Sequence, residues 1–315
     1  MTAARRRVVL DCDPGHDDAM AILLAAASPR IELVGITTVA GNQTLELTTL
    51  NARRVCSVAG IDDVPIAAGC DRPLSRALIV AADIHGASGL DGVDWDDPTV
   101  PLDPRHGVDL IIEAASPGQG PLAIVAVGPL TNVASALRRA PDIAGRIERI
   151  AIMGGAIGLG NTTPSAEFNI HVDPEAADEV FRAGIPITLV PLEVTHQALA
   201  TEAVLERIAA LDTPVARMSV ALMRYFAETY LRVFGFEAPA VHDPCAVAAV
   251  IDPAIVPTRH MNVAVDTESS LSLGRTVCDV HAKTGRAPNA DVGMGLDVGA
   301  LWDQMLVALA TYGRA

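Results

Sequence analysis

The strongest constraint on this chain is an alternation. Short apolar, β-branched runs are separated by stretches with helical spacing. Residues 7–11 read as a first strand and 17–27 as the helix after it. Residues 31–40 read as a second strand and 45–59 as a second helix. Residues 122–127, 147–153 and 185–191 are further strands, apolar enough to be covered on both faces. Residues 131–137, 174–183, 202–211, 214–231 and 244–251 read as helices. Strands that alternate with helices pair in parallel through right-handed crossovers. The expected fold is therefore α/β: a single-domain, open, mostly parallel, doubly wound (Rossmann-like) sheet spanning 1–315, with helices on both faces. A chain of 315 residues, 50% of them apolar, can bury a core of that size. No internal repeat or low-complexity linker interrupts the pattern. Residues 83–104 are polar and aperiodic, hence a long loop and a candidate lid.

In such sheets ligands bind outside the carboxyl ends of the strands, and the polar residues of this chain collect there. The first strand runs into Asp11-Cys12-Asp13-Pro14-Gly15-His16-Asp17-Asp18 and the second into Gly41-Asn42. Residues 122–127 run into Gly128-Pro129-Leu130-Thr131-Asn132. Residues 147–153 run into Gly154-Gly155 and then Asn161, Glu167 and Asn169. Four aspartates within eight residues repel one another and raise each other's pKa. The free N–H groups of the next helix can stabilise Asp17 and Asp18. A hard cation can hold the whole group, and Ca²⁺, which takes six to eight oxygen ligands, suits it. A capped, solvated acidic turn is the bland alternative and does not account for four aspartates around a Pro-Gly turn.

Composition removes several functions. The chain has 38 acidic and 23 basic side chains, a formal net charge of −15. That balance opposes binding to a phosphate backbone. Two Trp, three Tyr and five Phe, not interleaved with basic residues, make no stacking platform for nucleic acid. An aspartyl-phosphate enzyme would place a Thr or Val where Gly15 stands and would need a well-placed lysine; Lys283 is the only one. The five cysteines are odd in number, without metal or C-x-x-C spacing, and read as buried thiols of a reducing compartment. The basic start lacks the long apolar stretch of a signal peptide, and no apolar run approaches the length of a membrane span. The expectation is a cytoplasmic protein with no nucleic-acid or membrane partner.

Asp11 to Asp18 resembles the N-terminal signature of the inosine–uridine-preferring nucleoside hydrolases. The resemblance continues in order along nearly the whole chain. It takes in Ala40-Gly41-Asn42, the loop Ile84-His85-Gly86-Ala87-Ser88-Gly89-Leu90, and Val127-Gly128-Pro129-Leu130-Thr131-Asn132. Met153-Gly154-Gly155, Asn161 and Ala166-Glu167-Phe168-Asn169 follow, then Val241-His242-Asp243-Pro244. The resemblance implies Ca²⁺-dependent hydrolysis of the N-glycosidic bond of ribonucleosides, as in nucleoside salvage. It implies Ca²⁺ held by Asp13, Asp18, the backbone carbonyl of Thr131, and Asp243. Asp17 would be the general base acting on the attacking water, with Asp11 in support behind it. Asn42, Met153, Asn161, Glu167, Phe168 and Asn169 would hold the ribose. His242 would serve the leaving base, with His85 assisting. A homodimer or homotetramer is implied as well.

Cleavage of an N-ribosidic bond needs activated water, a rigidly held sugar and help for the departing base, and the residues above divide into those three tasks. The rival reading is a non-catalytic ribonucleoside-binding protein on the same scaffold. His16, His85 and His242 together lean towards a pyrimidine preference. Tyr225, Phe226, Tyr230, Phe234 and Phe236 fall close together and read either as a local apolar cluster or subunit contact, or as a mobile wall over the base.

Overall fold

The structure, a computed structural model, describes residues 5–313. The ends of the expected 1–315 domain, residues 1–4 and 314–315, lie outside the described residues. In chain order, β1 (Arg6–Cys12) leads into α1 (His16–Ala27), and β2 (Ile31–Thr38) into α2 (Leu45–Ala59). β3 (Ile66–Ala68) is followed by α3 (Ala82–His85) and α4 (Gly107–Ala114), and β4 (Leu122–Ala126) by α5 (Thr131–Arg139). β5 (Ile147–Met153) precedes α6 (Phe168–Val172) and α7 (Pro174–Arg182). After β6 (Ile187–Val190) come α8 (Leu192–Thr195), α9 (Glu202–Ala209), α10 (Pro214–Phe234) and α11 (Asp243–Ile251). The chain closes through β7 (Thr258–Met261), the ribbon of β8 (Val263–Val265) and β9 (Thr276–Cys278), β10 (Ala290–Gly293) and α12 (Val298–Leu309).

Eight strands form one sheet in the order β3-β2-β1-β4-β5-β6-β10-β7. Every neighbouring pair is parallel except β10 with β7. This is the mostly parallel, doubly wound sheet that the alternation implies. Period-two side-chain geometry splits each central strand between two cores. Val8, Leu10, Ala123, Val125, Ala151 and Met153 face the layer of α1, α2, α10, α11 and α12. Val9, Leu122, Ile124, Ile150 and Ile152 face the layer of α4, α5 and α7. Helix α1 is covered almost all round, with Ala19 to Ala25 at most 1% exposed, so its first turn is rigidly placed. All five cysteines are unpaired.

The chain moves outward from β1 through β2 to β3, then returns to β4 on the other side of β1. The crevice outside the carboxyl ends of β1 and β4 is therefore a topological switch point, where such sheets bind ligands. The expected loop 83–104 starts with α3 and otherwise has no helix or strand up to 104. Leu90 and Val100 pin it into the core.

Candidate active site

The acidic turn is built by the N-terminus of α1. Asp18, in the first turn, reaches back: its Oδ1 accepts the Asp13 N–H at 3.1 Å and its Oδ2 the Gly15 N–H at 2.9 Å. Such a carboxylate satisfies amides that a helix start leaves unpaired. Asn42, just after β2, donates its N–H to Asp13 Oδ2 at 2.7 Å and its Nδ2 to Asp18 Oδ2 at 3.2 Å. The backbone must come very close here. A Cβ on Gly128 would stand 2.5 Å from Asp13 Oδ1, and one on Gly41 would collide with Asp13 Oδ2. Asp243, first residue of α11, completes the group: Asp17, Asp18 and Asp243 offer oxygens that all lie within 4.8 Å of one another.

Burial, and then mutual repulsion, drives these carboxylates upward. Asp17 is pushed up to about 8 by burial and by Asp18 beside it. Asp13 and Asp243 are raised well above the ordinary carboxylate value, by burial and by their acidic neighbours. Asp13 Oδ1 is buried with no hydrogen-bond partner, so one acceptor stands unused amid buried carboxylates. An all-oxygen donor set with an orphaned oxygen fits a hard cation. Asp11 lies behind, off the cleft wall; its Oδ1 accepts Thr37 Oγ1–H at 2.6 Å and Asn132 Nδ2–H at 2.8 Å.

Thr131 requires a correction. It is the first residue of α5, so its carbonyl points along the axis to the amide four residues on. Its hydroxyl donates to Asp173 Oδ2 at 2.7 Å. It does not line the cleft, whereas Val127 does. The backbone oxygen on offer beside the carboxylates belongs to Val127, immediately before the close approach at Gly128.

A cleft of about 310 Å³ opens from this cluster. On one wall stand Asn42, Met153, Asn161, Glu167, Phe168 and Asn169, all expected from the sequence. Glu167 caps α6, with Oε1 accepting the Asn169 N–H at 2.8 Å and Oε2 the Gly155 N–H at 2.8 Å. Burial raises its carboxyl to about 7. Asn169 donates Nδ2 to the Val127 carbonyl at 2.9 Å and to that of Met153 at 3.2 Å, which fixes the amide. Asn161 Oδ1 accepts the Phe168 N–H at 3.0 Å.

The opposite end carries His85, Phe226, Tyr230 and His242. The His242 N–H donates to Asp17 Oδ2 at 3.2 Å, tying this end to the acidic one. His242 Nε2 lies 2.5 Å from the Tyr230 hydroxyl, and its Nδ1 lies 2.7 Å from Thr195 Oγ1. Burial lowers the imidazole to about 3, so it is uncharged at neutral pH. Thr195 escaped the sequence reading, although the strand-end rule that picked out the other loops also points to the turn after β6. Phe226 and Tyr230 come from the aromatic cluster on α10.

The inosine-uridine preferring nucleoside hydrolase family model matches residues 8–303. The chain belongs to that family. It is 43% identical over 309 residues to the pyrimidine-specific ribonucleoside hydrolase RihA of Shewanella sp. (strain MR-7), covering 98% of this chain and 97% of the relative. It is 44% identical over 310 residues to the inosine-uridine preferring nucleoside hydrolase of Crithidia fasciculata, covering 98% of both. Among solved structures, the purine-preferring ribonucleoside hydrolase from Gardnerella vaginalis superimposes with a TM-score of 0.91 at 33% identity, over 98% of this chain and 99% of that one. The chain is thus an enzyme that hydrolyses the N-glycosidic bond of ribonucleosides, which sets aside the non-catalytic reading.

Proposed function

We propose that this nucleoside hydrolase is Ca²⁺-dependent and takes uridine among its substrates, as one catalytic domain. The observation that carries the reading is the buried carboxylate cluster at one end of the cleft, where oxygens of Asp17, Asp18 and Asp243 lie within 4.8 Å of one another and Asp13 Oδ1 is buried without a hydrogen-bond partner. Uridine falls within both printed names at about 43% identity, the pyrimidine-specific and the inosine-uridine preferring. A cytoplasmic location is supported by five unpaired cysteines, and assembly as a homodimer or homotetramer by the family resemblance.

Asp13, Asp18, Asp243 and the Val127 carbonyl would hold the cation. When bound, it supplies Lewis acidity and neutralises the carboxylates. Asp17, on the cleft wall, takes a proton from the attacking water as its oxygen bonds to C1′. Asn42, Asn161, Glu167 and Asn169 hold the ribose. The C1′–N bond breaks with its electron pair going to the base. The Tyr230 hydroxyl, its oxygen accepting from His242 Nε2–H, donates a hydrogen bond to that base. An uncharged His242 supports this donor; it does not deliver a proton of its own.

Chelation should abolish hydrolysis, and Ca²⁺ should restore it better than Mg²⁺ or Zn²⁺. Full activity in demonstrably metal-free protein would sink the reading. Stability gives a second readout. The folded carboxyls of Asp17 and Glu167 sit near 8 and 7, above their ordinary values of 3.8 and 4.5. Without metal, the folded state binds more protons than the unfolded one, so stability falls as pH rises from about 4.5 to 8. At a hundredfold excess over its Kd, Ca²⁺ should return about 2.7 kcal/mol. A metal-free melting temperature that climbs over that range would contradict the electrostatics.

His242→Ala should slow uridine about 10²-fold, the lower end of the range for lost help to a leaving group. A 4-nitrophenyl riboside, whose leaving group departs as a stable anion, should lose far less. Equal losses on both substrates would assign the His242 ring to holding Tyr230 and Thr195 in place rather than to the leaving group, since the backbone N–H on Asp17 survives the substitution.

A further inference from the structure

His16 takes no part in the reaction as described, yet it is fully buried and bound on both ring nitrogens. Its Nε2 lies 2.8 Å from the Asp91 carbonyl. Its Nδ1 lies 3.1 Å from His85 Nδ1. The two rings stack with centroids 5.3 Å apart, and Phe226 stacks on both. The loop that supplies the carbonyl is stapled by the Asp91 carboxylate, which accepts the Ala87 and Ser88 amides at 3.1 Å each. His85 Nε2 has no partner among the described residues, yet it is not among the buried orphaned atoms, and His85 lines the cleft. That nitrogen therefore opens to the ligand space.

Counting protons fixes the pattern. A carbonyl only accepts, so His16 carries its proton on Nε2, and its Nδ1 is a lone pair. The facing His85 Nδ1 must then be the donor, or two lone pairs would meet at 3.1 Å. The His16 amide also points at His85 Nδ1, but at 3.4 Å, a long contact that would not offset such a clash. In an uncharged pair the second proton is thereby spent, and His85 Nε2 is bare. Both rings are buried and stacked on Phe226, and loss of water from around them favours the uncharged pair.

We infer that His16 is a positioning residue that locks His85 into the Nδ1–H tautomer, so that its cleft-facing Nε2 accepts an N–H from the nucleobase. Uracil offers its ring N3–H, hypoxanthine its N1–H and cytosine its amino group. A base or leaving group without such a hydrogen gains nothing from this nitrogen. The inference rests on the hydrolase reading for the identity of the ligand, but not for the tautomer.

The test begins without substrate. Long-range ¹H–¹⁵N correlation spectra of metal-loaded, ¹⁵N-histidine-labelled enzyme, with His85 assigned by His85→Ala, should show a protonated Nδ1 and a bare Nε2. A protonated Nε2 overturns the proposal whatever the variants do. His16→Phe keeps the stack and removes the acceptor; His85 should then move its proton to Nε2. His16→Asn offers an amide oxygen near the old Nδ1 and should restore the first pattern. In His16→Phe, kcat/KM for uridine relative to the 4-nitrophenyl riboside should drop roughly tenfold, the scale of one lost hydrogen bond; in His16→Asn it should recover. Equal losses on both substrates would make His16 merely structural and overturn the proposal. A wild-type enzyme with the expected tautomer but no uridine hydrolysis would refute the substrate reading instead.

Discussion

Asp17→Asn lowers kcat on uridine by about 10²–10⁴-fold and leaves Ca²⁺ binding in place. The substitution keeps the shape, and Oδ1 of the amide can still accept the His242 N–H now held at 3.2 Å. What disappears is the basicity of the acid that lines the cleft. Asp13 provides the contrast. It is fully buried, keeps one oxygen on the Asn42 amide and has the other without a partner, the disposition of a cation ligand. Asp13→Asn should therefore weaken Ca²⁺ binding in calorimetry and lose activity that excess Ca²⁺ partly returns. If Asp13→Asn bound Ca²⁺ normally and lost kcat, while Asp17→Asn lost the ion, the two roles would have to be exchanged.

The second large effect is on the sugar. Replacing uridine by 2′-deoxyuridine should lower kcat/KM by about 10⁴-fold or more. The polar groups of the ribose wall are already committed on one side. Asn169 spends its amino group on the carbonyls of Val127 and Met153, Asn161 its oxygen on Phe168, and Asn42 its amino group on Asp13 and Asp18. Their remaining atoms point to the cleft and need hydroxyl partners. Sites that bond a substrate hydroxyl reject the analogue lacking it on this scale, because buried groups are left unpaired. Similar kcat/KM values for the two nucleosides would show that the 2′-hydroxyl is not held.

Strong local pattern made some of this visible in the sequence. Residues 45–59 and 147–153 coincide with α2 and β5. β3 has three residues, β7 and β10 four each, too short for periodicity to stand out. Most residues expected at the site line the cleft: strand ends at a switch point gather Asp17, Asn42, Asn161, Glu167 and Asn169, and the family resemblance adds His85, Phe168, His242 and Asp243. Thr131 was misplaced since a motif does not say which of its residues has entered the helix. The contact between His16 and His85 joins residues 69 apart, which neither spacing nor composition could register.

The two ends of the cleft are anchored differently, and this bears on how such an enzyme can diversify. The carboxylates sit on α1, at the start of α11 and in the turn between β1 and α1, buried against the larger core. Apart from His242, at the start of α11, the side chains proposed to face the base come from α3, α10 and the segment before α3, where Ile79 and Val80 are 46% and 37% exposed. Substitutions there can reshape what is recognised without moving the groups that cleave. Relatives named for pyrimidine, inosine-uridine and purine preferences are what such a division of labour would produce: one cutting edge behind an interchangeable gauge.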